Sequence, residues 1–451
     1  MTINFITPKR KSESSLLKNK HFMRMFTAYA TASFGEWFDA IAIQIIMVYR
    51  WGASPVTLAL VPVAMALPGL ILGSFAGVAA DRFPKVKLMM LADLLTGMLT
   101  FILLTASHPY AVIPILMCRA AVSSFIMPAH QAMTRSLVRE EQLIQATSLN
   151  GLVNQFSKIA GPLLGGVTLA VFSPQVCIAI GACARFASAS LLWSIRGVES
   201  VRDKLLLTEN LSLEEEKLDV ESKAIDSASG HPSLWTEWKE GWGYLFQQRI
   251  LICTLIYAVF GLFALLMIDY QFTVLLREIA PDRESMLGIL VAAIGAGSVV
   301  VMVLINRIGQ LSYVLGLGGG YLGIGLGIAG LGLLGDAHGA LSIVLFAVLI
   351  GVGNGLFMVT NQTIMQKESR QDMVGRVFGI SNTVVSVVLV SAPLFGGFVI
   401  ESAGVQATFF WIGCTVAVIG LIGFALGSFL WGEKSNKETT KSMKRTEAES
   451  V

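Results

Sequence analysis

The chain has 451 residues, of which 54% are hydrophobic and 14% charged, with a mean hydropathy of +0.68 and a formal charge of +3. No soluble domain of ordinary composition looks like this. A nucleic-acid-binding role would need a basic face on a soluble domain, and none is visible.

The first twenty residues are polar and basic, and the first apolar run is long and carries acids, which is not the pattern of a cleavable signal peptide. A membrane-spanning helix needs roughly 20 apolar residues. Twelve runs meet that need, at about 22–49, 56–80, 88–106, 111–133, 144–172, 176–195, 250–276, 285–306, 312–334, 340–366, 373–400 and 406–431. Glycine and proline inside them are compatible with membrane helices. The glycines between Gly316 and Gly335 would let neighbouring helices approach closely. The expected fold is an all-α membrane protein of twelve transmembrane helices in two six-helix halves. Its divisions are an N-terminal tail (1–21), a first half (22–196), a linker (197–248), a second half (249–431) and a C-terminal tail (432–451).

The linker has two parts. Its first is acidic and serine-rich, a composition expected to stay disordered. In the second, Trp235, Trp238, Trp242 and Leu245 recur at helical spacing, with Glu237, Lys239 and Glu240 off that stripe. This predicts an amphipathic helix in the membrane interface, read as an anchor in preference to a coupler between the halves.

One block occurs twice. Residues 131–166 align without a gap to residues 362–397, placing Gln131 on Gln362, Glu141 on Asp372, Pro162 on Pro393 and Gly165-Gly166 on Gly396-Gly397. Two parallel repeats related in this way are the usual plan of a large transporter class, with a substrate site near mid-bilayer between them. Pro162 and the glycine pair, repeated in the eleventh run, are expected to thin and bend helices that face each other across the halves.

Charge placement predicts orientation. Of 33 Lys and Arg, Arg50, Arg277 and Arg283 fall at one set of loops, and Arg119, Lys158 and Arg185 lie inside spans. The other 27 fall at the opposite set, which the positive-inside rule makes cytoplasmic, together with both termini and the linker. The expected location is the bacterial cytoplasmic membrane. All five cysteines sit in spans without metal-ligand spacing and read as packing residues.

After the second run comes GVAADRFPKVK, residues 77–87. It resembles the loop signature of the major facilitator superfamily, with Gly77, Asp81, Arg82 and Lys85 at the expected offsets; Pro84 stands in place of a glycine and Val86 in place of a second basic residue. GPLLGG, with Gly161, Pro162, Gly165 and Gly166, is similar to part of a signature of the superfamily's drug and metabolite exporters, and Arg119 matches its fourth-helix arginine. EWKEGWGYLF and GILVAAIGAG look like a bacterial branch that exports drugs, macrolides and siderophores. The resemblance implies alternating access between two halves. It also implies a cytoplasmic gate in which Asp81 meets the start of the eleventh helix near Asp372 and Met373, with Arg82 and Lys85 adding exchangeable ion pairs. Physically, a carboxylate there complements a helix dipole.

Ionisable residues at bilayer depth are functional candidates by default. Glu36 and Asp39 lie three apart on one face of the first helix, where burial and mutual repulsion suit the holding and release of a proton. Arg119 could tune these acids or hold an anionic substrate. Lys158 in the fifth span needs a carboxylate partner, for which Glu36 or Asp39 is the expectation. Asp269 in the seventh span is assigned equally to an external gate or to proton binding, and Asp93 and Arg185 are read as structural. The chain has no GxxxxGK[ST] loop, and its histidines show no metal spacing, so no enzyme activity, cofactor or metal is expected.

The function expected is therefore proton-coupled antiport, exporting an amphipathic small molecule through a monomer in contact with membrane lipids. The alternatives are a lipid, siderophore or nutrient carrier on the same fold, or a channel-like protein.

Overall fold

The computed structural model describes residues 16–197, 234–281, 283–308, 311–335, 339–370 and 373–431. Every regular element among them is helical. The first half comprises α1 (Lys20–Ile45), continued by a π-helical turn at Ile46–Arg50, then α2 (Pro55–Arg82), α3 (Lys85–Ile102), α4 (Pro109–Ser123), α5 (Ile126–Leu137), α6 (Glu140–Val171) and α7 (Pro174–Trp193). A linker helix, α8 (Leu234–Gln247), precedes the second half. That half comprises α9 (Arg249–Ile268), a 3-10 turn at Asp269–Gln271, α10 (Phe272–Ile279), α11 (Met286–Ile308), α12 (Tyr313–Gly332), α13 (Ala340–Lys367), α14 (Val374–Ala403) and α15 (Val405–Trp431).

Two of the twelve runs are split. Span four breaks at Ser124–Phe125, where Ser123 and Ser124 donate back to the carbonyls of Ala120 and Ala121 and compete with the helical ladder. Span seven breaks at Asp269–Gln271. Among the described residues, eleven helices are long and apolar enough to cross a membrane. The exception is α6, span five, whose Asn150, Asn154, Ser157 and Lys158 lower its hydropathy although it packs in the bundle like the rest. Span two runs through Arg82, so Gly77, Asp81 and Arg82 belong to its last turns and the connection to α3 is only Phe83–Pro84. Phe83 is extended (ψ 155°), as the residue before a proline must be. An equally short turn at Gly404 (φ 84°) joins spans eleven and twelve, a backbone conformation that suits glycine.

The duplication is visible in the packing. In the first half, span one packs on spans five and six, span three on four and six, and span two on four. The second half repeats each contact: span seven on eleven and twelve, span nine on ten and twelve, and span eight on ten. The glycines of span nine act as expected. A Cβ on Gly320 would lie 3.0 Å from the Gly353 carbonyl of span ten, and one on Gly353 would meet the Gly320 carbonyl in return. Of the cysteines, Cys177 is buried, whereas Cys118 and Cys183 are exposed, so packing does not account for all five.

The two halves meet through span five against eight and span eleven against two. Helices five and eleven therefore face eight and two, and not each other as the repeated block suggested. Each glycine of the repeated pair has its own partner. Gly165 lies on the Trp37 carbonyl of span one, and Gly396 on Met267 of span seven, both within their own halves. Gly166 lies on Gly288 and Ala292 of span eight, and Gly397 on Pro55, Val56 and Ala59 of span two, both across the divide. Neighbouring residues point in different directions around a helix, so one pair serves two interfaces.

These inter-half contacts lie towards the end of the bundle away from the basic loops. The segment after the break in span seven adds hydrogen bonds there. Gln271 Nε2 donates to the Pro55 carbonyl at 2.9 Å, Thr273 Oγ1 to Gln44 Oε1 at 3.2 Å, and Arg277 Nη1 to the Val48 carbonyl at 2.9 Å. Val48 belongs to the π-turn, a wider winding that is frequent at functional positions of helices. Towards the basic end, Gly73, Gly77, Gly151 and Gly379 have open space where a Cβ would stand. The contacts named between the halves thus gather at one end of the bundle.

The linker helix is docked on the second half. Leu245 is buried with Leu251, Leu255, Met365 and Val377, and the Tyr244 hydroxyl accepts from the Arg370 amide at 3.0 Å in the turn joining spans ten and eleven. The side chains of Trp235 and Trp238 are outside the described residues. Tyr244→Phe removes one neutral hydrogen bond, worth about 1 kcal/mol. It should lower the unfolding midpoint slightly in detergent while leaving the protein monodisperse; a loss of folding would mean the helix does more than anchor.

Candidate functional site

Span one carries Glu36 and Asp39 one turn apart, and close approach of its neighbours decides what they meet. A Cβ on Gly35 would overlap Ala184, and one on Gly181 would lie 3.0 Å from the Gly35 carbonyl, so spans one and six touch backbone to backbone. One turn beyond Gly181 stands Arg185. On its other side Gly97 makes room for Arg185 Cβ (3.3 Å) and Phe186, bringing in span three, whose Asp93 lies one turn before Gly97.

The result is a chain of charges through four spans. Arg119 Nη1 lies 2.8 Å from Asp39 Oδ2, and its Nη2 donates to Asp39 Oδ1 at 3.2 Å, a two-pronged contact between buried side chains. Arg185 Nη1 donates to Asp93 Oδ1 at 3.0 Å, and Ser188 Oγ donates to Asp93 Oδ2 at 2.6 Å. Glu36 stands between the two guanidinium groups, 3.4 Å from Arg185 Nη2 and 4.0 Å from Arg119 Nη2. Its side chain is 46% exposed, against 2% for each aspartate. Three carboxylates thus share two guanidinium groups, and the one left over is the most accessible.

Beside Glu36 opens a chamber of about 290 Å³ within the first half, between spans one, three, four, five and six. Met25, Met89 and Leu192, all buried, line it on the side nearer the basic end. Tyr29 stacks on His130 in its wall with ring centroids 4.4 Å apart, and Asn154 Nδ2 donates to the Tyr29 hydroxyl at 3.3 Å. His130 is only 3% exposed and its Nε2 has no hydrogen-bond partner. The break in span four lies here, with Ser123 and Ile126 in the lining. From the second half, Tyr270 lies close enough for the charges of Glu36, Asp39 and Arg119 to act on it, and its hydroxyl is 4.0 Å from Met65 Sδ of span two.

The expected site residues part company in this arrangement. Glu36, Asp39 and Arg119 come together. Arg119, with both terminal nitrogens turned to Asp39 and 4% of its side chain exposed, is not presented to an anionic substrate. Lys158 does not pair with Glu36 or Asp39; the arginines take those acids, and Lys158 is exposed without an ion pair among the described residues. Asp269 is exposed at the break in span seven, also without an ion pair among the described residues, while its neighbours Gln271, Thr273 and Arg277 make the hydrogen bonds to the first half. Gly161 holds the indole of Trp37, so the first glycine of GPLLGG serves packing within the half. Arg82 is exposed, and the contact expected between Asp81 and the start of span eleven lies outside the described residues, which omit Asp372 and the side chain of Asp81.

Arg185 and Asp93 are the residues the sequence reading undervalued. They complete the charge chain, and the signal for them was their opposite sign on two otherwise apolar runs. Among the described residues, every buried Asp, Arg and His belongs to the first half. The second half buries tyrosines instead, with Tyr321 and Tyr257 donating to the carbonyls of Ala258 and Ile419.

Two parallel six-helix halves, joined at one end around buried charges, follow the plan of a membrane transporter. The family model of the Major Facilitator Superfamily matches residues 25–392 and 286–450, and the chain belongs to that superfamily. The MFS-type transporter YfiS of Bacillus subtilis is 28% identical over 413 residues, covering 91% of this chain and 94% of that protein. Macrolide efflux protein A of Streptococcus pyogenes is 21% identical over 362 residues, covering 79% and 84%. Among solved structures, the nucleoside transporter NupG superposes with a TM-score of 0.62 at 11% identity, covering 91% of this chain and 99% of that one, a likeness of fold.

Proposed function

We propose that the protein is a proton-coupled antiporter that exports an amphipathic small molecule across the bacterial cytoplasmic membrane. The observation that carries this reading is the surplus carboxylate: Asp39 and Asp93 each hold a guanidinium group, and Glu36 is left shared, exposed and at longer range. Such a group can change its charge without dismantling the pairs around it. Likeness to a macrolide efflux protein supports outward transport of an amphipathic cargo.

In this reading the 27 basic residues at one end mark the cytoplasmic side, and both termini lie there. The contacts of spans five and eight and of spans two and eleven then close the outer end, as an inward-facing state requires. Cargo enters from the cytoplasm while Glu36 is ionised, and a proton from outside discharges cargo after the halves rock. Asp81, Arg82 and Lys85 with Gly77 close the cytoplasmic gate in the opposite state, and the protein works as a monomer. Asp39 keeps Arg119 in place, which separates its role from that of Glu36.

Ethidium efflux in energised inverted vesicles tests the reading. Wild-type movement should collapse with a protonophore, and Glu36→Gln should abolish coupled movement while the purified variant stays folded, because its side chain is half exposed. Coupled efflux in Glu36→Gln at the wild-type rate would overturn the assignment.

A further inference from the structure

We infer that each half seats the headgroup of an anionic phospholipid where its first and last spans meet at the basic end, on a guanidinium group laid over an exposed aromatic ring. The inference rests on the proposed orientation, which puts that end at the cytoplasmic leaflet, and adds a lipid partner that the transport reading does not use.

The chemistry occurs twice. In the second half the guanidinium of Arg249, the first residue of span seven, lies over the ring of Phe429 near the end of span twelve, 3.8 Å from its centroid. In the first half Arg196 lies over Trp193, the last residue of span six, at 4.3 Å. Arg24 of span one reaches the same corner, where its Nη1 donates to the Ser194 carbonyl at 3.4 Å. Spans one and six pack together as spans seven and twelve do, so the two pairs occupy equivalent corners of the halves. The repeated block stops short of both, and the residues differ: one ring is Trp and the other Phe, one arginine follows the last span and the other opens the first. The corners thus share chemistry without sharing sequence.

Exposure and geometry point to the ligand. Phe429 is 66% exposed and Trp193 55%, and Arg24, Arg196 and Arg249 are all exposed. None of these arginines makes an ion pair among the described residues. A ring beneath one face of a guanidinium group fixes its plane and leaves the N–H groups of its edge turned outward. That edge matches two oxygens of a phosphodiester, which an ammonium group cannot do. Aromatic rings at the ends of spans belong to the interfacial belt, between acyl chains and headgroups, and the cytoplasmic leaflet presents anionic lipid to basic groups there. A zwitterionic headgroup brings a cation of its own against the same arginines, so a net-negative lipid is favoured. The second corner also offers room for the chains. Leu426, Ile422 and Val418 follow Phe429 at helical spacing towards the other end of span twelve, all exposed on one face. Phe246, stacked on Trp242 at 5.6 Å near the end of α8, stands exposed three residues before Arg249 and adds an apolar flank. A diacyl lipid uses the guanidinium, the stripe and the flank; inorganic phosphate uses only the first.

The test is native mass spectrometry of the purified full chain with dioctanoyl phosphatidylglycerol, dioctanoyl phosphatidylcholine or inorganic phosphate, with thermal unfolding in detergent alongside. Wild type should retain two molecules of phosphatidylglycerol, at least fivefold more tightly than phosphatidylcholine, and inorganic phosphate should neither be retained nor move the unfolding midpoint. Arg249→Gln should retain one lipid, and the same change with Arg196→Gln and Arg24→Gln none. Arg249→Lys keeps the charge without the planar edge and should lose most of the affinity at its corner, whereas Phe429→Leu keeps the edge without the ring and should weaken it about threefold to tenfold. All these side chains are exposed, so the variants should unfold at the wild-type midpoint when no lipid is added. Equal retention of the two lipids overturns the inference, as does wild-type retention in the triple variant, wild-type affinity in Arg249→Lys, or full occupancy by inorganic phosphate. Labelling of Gln247→Cys by an impermeant maleimide, in a cysteine-free background, separates the two readings. Reaction in inverted vesicles and not in intact cells supports the cytoplasmic leaflet. The reverse overturns the orientation, while retention of lipid by the purified chain stands or falls by itself.

Discussion

Gly166→Val should stop transport by at least about a hundredfold while leaving each half folded. A Cβ at Gly166 would overlap the Gly288 carbonyl and lie 2.7 Å from the Ala292 amide nitrogen, both backbone atoms of span eight. Helix backbones cannot step aside as a flexible side chain can, and overpacking at a tight contact costs about 1–3 kcal/mol or more. That cost falls on the state in which spans five and eight are closed at this end. A difference of about 3 kcal/mol shifts a balanced two-state equilibrium by more than a hundredfold. The variant should therefore sit in the opposite state, with the basic end closed. Spin labels at Gly151→Cys and Arg307→Cys, at the basic ends of spans five and eight in a cysteine-free background, would report the change as a shorter distance. Gly165→Ala is the contrasting variant. Its Cβ would meet the Trp37 carbonyl and Ile41 within the first half, so its cost should appear as lower stability and not as a shifted distance. An unchanged distance in Gly166→Val would show that this contact does not hold the closed end.

Arg119→Met should lower the unfolding midpoint in detergent by roughly 5 °C or more and abolish transport. It leaves Asp39 buried without its guanidinium, and removing one partner of a buried pair costs about 3–5 kcal/mol. Replacing both residues, Arg119→Met with Asp39→Leu, should restore much of the stability, since two apolar groups of similar size need no partner. Transport should not return with it, because Glu36 then answers to Arg185 alone. A single variant as stable as wild type would mean that the pair is not structural, and that Asp39 competes with Glu36 for the coupling role.

The sequence carried the helices, the two-fold plan and the depth of the charges. Apolar runs of about 20 residues admit few other structures in a bilayer, because backbone groups there must be satisfied within each helix. Span ends differ from expectation by only a few residues, and where the difference is larger the cause is local. Spans four and seven break at Ser124–Phe125 and Asp269–Gln271, and apolar periodicity does not register a two- or three-residue interruption.

What hydropathy could not decide is which face of each helix meets which neighbour. Lys158, a lone lysine within span five, is the expected partner of the acids on span one. The fold instead turns Arg185 towards Glu36, through backbone contact at Gly35 and Gly181 that no periodicity encodes. Glu36 and Asp39 were indistinguishable as two acids three residues apart. They differ because one turn of helix carries one of them into the contact with Arg119 and leaves the other half exposed at the chamber. The repeated glycine pair was legible as a motif, yet its two partners follow from the crossing of helices that are far apart in the chain. Local composition thus determined that this chain is a multi-pass membrane protein and which charged residues lie within its apolar runs. The pairing of those charges belongs to tertiary structure, because it depends on rotations about helix axes that are fixed only when all the spans pack together.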